Sequence, residues 1–369
     1  MKIGIITLPP LNTNYGGILQ AWALQQYLLN LGHDVVTFDF KSVEPLSLKY
    51  QLLHYPYRAY KKYFRGEKSL CIDFENRFSR NASELINFVN QNIKRRIFRN
   101  IDEINPNSYD CLIFGSDQVW RPLYWNAKFR NIADAFGAFV PQDSTTKLIS
   151  YAASFGTDDV DEFPKDSFDI ISKSLKRFSA ISVREESGIE ICKAYFDVEA
   201  TRQIDPAMLH SSKTYLNLCS TIPFKKDLVA TYILDDSDTG SILTHKLNQI
   251  FGYSPLKLCR NVFKEKLVNM EEWLGTFRDA QFVLTDSFHG SVFSIIFGTP
   301  FAVIDNPSRG TARIRSLLKL FDLEHHLITN STELDSINRF NHSEKTMALL
   351  ELFRKSSSEW IKDALSKMD

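Results

Sequence analysis

The chain has 369 residues, 44% apolar, 24% charged and 13% aromatic, enough to bury two cores of ordinary size and too apolar for a disordered or fibrous protein. Its 44 basic residues balance 44 acidic ones, so the overall charge gives no reason to expect a nucleic-acid partner. Five scattered cysteines, Cys71, Cys111, Cys192, Cys219 and Cys259, show no Cys-x-x-Cys pair and no clustered histidine, which argues against a disulfide framework or structural zinc site and fits a reducing compartment.

Lys2–Thr7 reads as a first strand, too short an apolar run for a signal peptide, and no apolar stretch is long enough to cross a bilayer, so a cytoplasmic location is expected. Two prolines keep Leu8–Tyr15 out of a helix, and Gly16-Gly17 open a periodic helix over Ile18–Leu31 that Gly32 stops before a second strand at Asp34–Phe38. Asn14, Gly16 and Gly17 sit where backbone N–H groups can approach a ligand. They lack the Gly-x-Gly-x-x-Gly spacing, so a turn or packing role is equally open.

Residues 41–100 change texture, with 13 Lys/Arg against 5 Asp/Glu and aromatic runs such as Tyr55–Arg65, together with Lys94-Arg95-Arg96. They are expected to form a helical insertion on the sheet. Its basic side chains either cover solvated helix faces or rest on anionic lipid head groups or a lipid-linked pyrophosphate acceptor, a peripheral membrane contact. Tyr109–Phe114 is a buried strand followed by Gly115-Ser116-Asp117-Gln118, small and polar residues of the kind that collect ligands at the carboxyl edge of a parallel sheet. Asp117 either faces that ligand or caps the next turn. Strands at Lys147–Tyr151 and Ala180–Val183 bracket a helix at Ser167–Phe178. Arg184, ending a buried strand, is placed for bidentate contact with a carboxylate or phosphate, or for an ion pair with Glu185 or Glu186.

Asp205-Pro206 reads as the hinge into a second lobe. There Leu228–Leu234, Ser241–Phe251, Leu256–Cys259 and Met270–Ala280 alternate strand and helix. Residues 281–304 then form strand, loop, buried helix, glycine cap at Gly298 and second strand, with Ser287 and His289 at the helix amino end, where free N–H groups favour an anion. A helix at Thr311–Phe321 brings Arg313, after a loop carrying Arg309, and Ser343–Lys367 is a long amphipathic tail helix. The expected architecture is α/β: two Rossmann-like doubly wound lobes, 1–204 with its insertion and 205–342, an active-site cleft between them, and a tail at 343–369 that packs back on the first lobe. No Walker loop, Gly-x-Ser-x-Gly elbow or His-Glu-x-x-His occurs, and no metal site is expected.

The ordered set Asn14-Tyr15-Gly16-Gly17, Phe114–Trp120, Ser150–Gly156, Ile181–Glu185, Asp205-Pro206 and Thr285–Gly290 resembles the polysaccharide pyruvyl transferase family from the first strand to about Phe321. The resemblance implies a GT-B-like fold and transfer of the enolpyruvyl carbons of phosphoenolpyruvate onto two hydroxyls of a hexose as a cyclic ketal, with phosphate released and no cofactor beyond the donor. It implies His289 as acid/base, Arg184 as donor-anion clamp and Asp117 as sugar-hydroxyl ligand or second base. Asn14, Gly16, Gly17, Ser116, Gln118 and Ser287 are expected around the substrates. Many members carry an Arg two residues before the His where this chain has Ser287, so Arg309 or Arg313 is expected to supply that charge. A nucleotide-sugar glycosyltransferase and a catalytically silent sugar-binding protein are the competing readings of the same architecture.

Overall fold

The computed structural model describes residues 1–10, 13–40, 48–67, 70–124, 131–306 and 311–366. Arg309, and the parts of the insertion at 41–47 and 68–69, lie outside them. In chain order the first lobe holds β1 (Lys2–Ile6), α1 (Tyr15–Asn30), β2 (Asp34–Phe40), α2 (Leu48–Phe64), α3 (Phe74–Asn81), α4 (Ser83–Asn92), β3 (Arg95–Phe98), β4 (Cys111–Phe114), β5 (Lys147–Ala153), α5 (Phe168–Leu175), β6 (Ala180–Val183), α6 (Glu186–Phe196) and β7 (Thr201–Arg202). The second holds α7 (Ser212–Leu218), β8 (Val229–Tyr232), α8 (Asp238–Phe251), β9 (Leu256–Lys257), α9 (Met270–Asp279), β10 (Phe282–Thr285), α10 (Phe288–Phe297), β11 (Phe301–Ile304), α11 (Thr311–Leu320), β12 (Leu327–Ile328) and α12 (Glu344–Ser366).

The strands form two wholly parallel sheets, ordered β3-β2-β1-β4-β5-β6-β7 and β12-β11-β10-β8-β9. Cys111–Phe114, Phe282–Thr285 and Phe301–Ile304 are buried at every position, as strands covered by helices on both faces must be. Strand order reverses between β1 and β4 in the first sheet and between β8 and β10 in the second. Loops leaving the carboxyl ends at such a reversal diverge and leave room for a ligand. Those loops carry Asn14 and Asp117 in one lobe and His289 in the other.

α1 is buried along most of its length, so its polar side chains find partners inside: Gln20 Nε2 donates to Thr7 Oγ1 at 3.0 Å and Gln25 Nε2 to Thr37 Oγ1 at 2.8 Å. Tyr15, its first residue, enters the other lobe, stacking on Trp273 with centroids 5.4 Å apart and donating its hydroxyl to Val268 O at 2.7 Å. α12 starts beside the second lobe, where Lys345 meets Asp322 at 2.6 Å, and ends on the first, where Trp360 lies 6.0 Å from Tyr151.

The insertion departs from the sequence reading in one element. Arg95-Arg96-Ile97-Phe98 is not helical but forms β3, the edge strand paired in parallel with β2. An edge strand tolerates charge, and here charge disguised it. Arg95 pairs with the buried Asp39. Residues Phe74–Asn92 bridge the lobes: Asn81 Nδ2 donates to Val262 O at 2.7 Å, and Arg77 Nη1 to Phe263 O at 2.7 Å.

Candidate active site

The centre of the molecule brings together ionisable side chains from both lobes. Asp117 follows β4 with a left-handed backbone, φ 62°, a conformation that Asp adopts more readily than most residues. Arg184 ends β6, Asp205 follows β7, and His289 stands in the first turn of α10. Arg184 spans both carboxylates, with Nη1 donating to Asp205 Oδ2 at 2.9 Å and Nη2 to Asp117 Oδ1 at 3.3 Å. His289 Nε2 comes from the other lobe to 3.5 Å from the same Asp205 oxygen. Arg313, on α11, lies 3.9 Å from Asp117. Phe288 gives both cations an aromatic face, at 4.1 Å from Arg184 and 5.8 Å from Arg313.

Of the residues expected at the site, Asp117, Arg184, His289 and Arg313 are brought together. Ser116 joins them, its hydroxyl 2.8 Å from Ala152 O and 3.5 Å from Asp205. Gly16 joins them through space: a Cβ there would overlap Cβ, Cγ and Nδ1 of His289, so the glycine allows the first lobe to rest on the imidazole. Asn14 caps α1 by accepting from Gly17 N at 3.1 Å, and a Cβ at Gly17 would press on the Asn14 amide. Ser287 caps α10 by accepting from Gly290 N at 3.3 Å, outside the charge cluster. Gln118 turns away, its Oε1 accepting from Arg121 at 3.0 Å. The ion-pair alternative for Arg184 is settled against its neighbours: Glu185 accepts from Phe155 N at 2.7 Å and Glu186 pairs with Lys319 at 2.9 Å.

Arg184, Asp117, His289 and Arg313, expected to face the cleft between the lobes, are exposed by only 6%, 3%, 5% and 6%. Among the described residues, a small space of about 10 Å³ adjoins Arg184, Asp205 and Phe288. A larger crevice among them, of about 250 Å³, is lined by Asn14, Tyr15, Tyr232, Leu234, Cys259 and Arg260. Asp205, read as the start of the hinge into the second lobe, has a further part: its carboxylate meets Arg184 from one lobe and His289 from the other.

The electrostatics follow from burial opposed by pairing. Burial alone would raise the Asp205 pKa, but the His289 ring 3.5 Å away, then Arg184, outweigh it and hold Asp205 at about 2. Asp117 is likewise lowered, burial being outweighed by Arg184, His289 and Arg313. Burial, then repulsion from Arg184, brings Arg313 down to about 10. A carboxyl whose folded pKa is depressed stabilises the fold above its unfolded pKa and loses that contribution as pH falls toward the folded value. Asp205 therefore contributes about 2 kcal/mol at neutral pH, lost between pH 3.8 and about 2. Asp205→Asn is expected to flatten that part of a stability-versus-pH series, and an unchanged acid limb would remove the assignment.

Comparison with solved structures gives likeness of fold. UDP-GlcNAc 2-epimerase from Neisseria meningitidis bound to UDP-GlcNAc is 12% identical, with all of both chains covered and a TM-score of 0.50. The corresponding epimerase from Methanocaldococcus jannaschii is 11% identical over 99% of each chain, TM-score 0.49, and apo UGT2 of Phytolacca americana is 10% identical over 100% of this chain and 99% of that one, TM-score 0.47. No curated protein matches the sequence. The sequence pattern of polysaccharide pyruvyl transferase, however, runs through residues 14–308, from the cap of α1 past β11; it takes in Asp117, Arg184, Asp205 and His289 and ends before Arg313. The chain belongs to the polysaccharide pyruvyl transferase family.

Proposed function

We propose that this protein transfers the enolpyruvyl carbons of phosphoenolpyruvate to two hydroxyls of a hexose in a surface polysaccharide or its precursor, forming a cyclic ketal and releasing phosphate. The observation that carries the reading is the convergence of Arg184, Arg313 and His289 on Asp117 and Asp205 across the lobe boundary. Two guanidinium groups suit a donor with one phosphate and one carboxylate. In the structure the two aspartates occupy them. Separation of the lobes lets the donor's anions replace the aspartates, and Asp117, released from Arg184, becomes a base for a sugar hydroxyl.

The chemistry then needs little more than proton traffic and fixed charge. His289, as imidazolium, protonates the donor methylene carbon, which makes C2 cationic. One sugar hydroxyl adds to C2 and gives its proton to Asp117. The C2–O bond to phosphate breaks, the leaving oxygen taking the proton held by Asp117 and the phosphate's remaining charge being held by Arg184 and Arg313. The second hydroxyl adds to C2, losing its proton to the imidazole. Arg313 takes the part that an Arg at position 287 would play, since Ser287 is occupied as a helix cap. The sugar approaches through the crevice lined by Asn14 and Arg260.

Phosphate release from phosphoenolpyruvate, measured with a panel of hexose glycosides in EDTA, tests this directly. Release that requires an acceptor is expected, and Arg313→Ala should raise the Michaelis constant for phosphoenolpyruvate about tenfold or more. Turnover of a nucleotide-sugar in place of phosphoenolpyruvate would overturn the reading in favour of a glycosyltransferase.

A further inference from the structure

α2 is an amphipathic helix mounted with its polar side inward. Its large apolar residues Leu52, Leu53, Tyr57, Tyr60, Tyr63 and Phe64 are exposed by 77%, 66%, 54%, 49%, 71% and 80%. At 3.6 residues per turn they share one arc of roughly 140°. The opposite side is tied to the protein by polar groups. Arg58 makes a two-pronged bond to Glu75 of α3, each arm 2.9 Å, and Lys62 Nζ donates to Leu70 O at 3.0 Å. A water-facing helix would show the reverse arrangement, and an exposed contiguous apolar face of this size marks an interaction surface.

We infer that this face docks on an anionic lipid bilayer, with α2 lying in the plane of the interface. Charge selects the occupant. From Pro45 to Gly66 the sequence has five basic residues and no acidic one; Arg58 and Lys62 are turned inward, and Lys61, 3.9 Å from Glu67, and Arg65 are the positive charges at the edge of the exposed face. Lys61 stands at the border of the apolar arc, its Nζ 5.2 Å from the Tyr57 ring centroid, and Arg65 beyond it is exposed. Tyrosines and a phenylalanine fit the head-group boundary, where rings bury their apolar part and hydroxyls stay wet. The surface is connected to the site: α2 is bonded to α3, α3 to Phe263, and the same segment reaches Leu267 at the wall of the interlobe crevice. A lipid-carried acceptor would thus meet the crevice from the membrane side.

Flotation of the full chain with vesicles tests the inference without any assay of activity. Wild type should float with vesicles of equal parts phosphatidylcholine and phosphatidylglycerol and not with phosphatidylcholine alone. Tyr63→Ser/Phe64→Ser and Lys61→Glu/Arg65→Glu should each reduce the bound fraction about tenfold, the wild-type binding weakening with salt. These side chains lie at the surface, so unchanged thermal melting is expected and shows that the variants fold. Absence of binding to anionic vesicles, or binding that both variants retain, would overturn the inference. So would a wild-type dimer in vesicle-free solution that Tyr63→Ser/Phe64→Ser converts to monomer, which would assign the face to a second copy of the chain.

Discussion

Replacing Arg184 by alanine is expected to abolish donor binding and to lower stability by about 3–5 kcal/mol. Its guanidinium touches both buried carboxylates, Asp117 and Asp205. Truncation leaves Asp205 with His289 and Asp117 with the longer 3.9 Å contact to Arg313, in a site where water cannot replace what is lost. Arg184→Lys should not rescue either property, because a single ammonium cannot reach two acceptors held by a planar fork. Chemical denaturation of the variant, followed separately by tryptophan emission and circular dichroism because a two-lobed chain need not unfold in one step, measures the stability term. A loss below about 1 kcal/mol would mean that the ion pairs are not formed as described.

The second large effect is expected at a residue with no side chain. Gly16→Ala places a methyl group inside the root of the His289 ring, at Cβ and Cγ, which cannot swing away as the end of a flexible chain would. The imidazole or the whole lobe must shift. A displacement near 1 Å at a proton donor costs on the order of 10²-fold in turnover, and the overpacking costs about 1–3 kcal/mol. A double-mutant cycle separates steric coupling from general damage. In a His289→Ala background the added methyl has space, so most of the stability cost of Gly16→Ala should vanish. Additive costs would show that the lobes do not meet at this pair.

Much of this fold was legible because its signals are local. The run Phe282–Ile304 announced itself through an apolar strand, polar loop, apolar helix and Gly298, whose φ of 71° is the left-handed cap that glycine supplies without strain. Asp117, Arg184 and His289 were legible as polar residues at strand ends, and the family motifs put them in order. The pairing between them was not. Which carboxylate faces which cation depends on how two lobes meet, and no spacing in the chain encodes that, so nothing in the sequence placed Asp205 among the charged groups.

The insertion shows the same boundary between local and tertiary information. Its basic and aromatic character is plain in the sequence, yet periodicity cannot say which side of α2 is turned inward. The two-pronged bond between Arg58 and Glu75 decides that. β3 was hidden for a related reason: Arg95 reads as surface charge until Asp39, far away in sequence, is seen beside it.

Calorimetric titration of phosphoenolpyruvate into wild type and into Arg184→Ala, without nucleotide or added metal, puts the proposed site to its most direct trial. One saturable site in the wild type that disappears in the variant is the expected result. Equal affinity in both proteins, or no binding to the wild type while a nucleoside diphosphate binds, would mean that the Arg184 cluster holds the lobes together and does nothing for a donor.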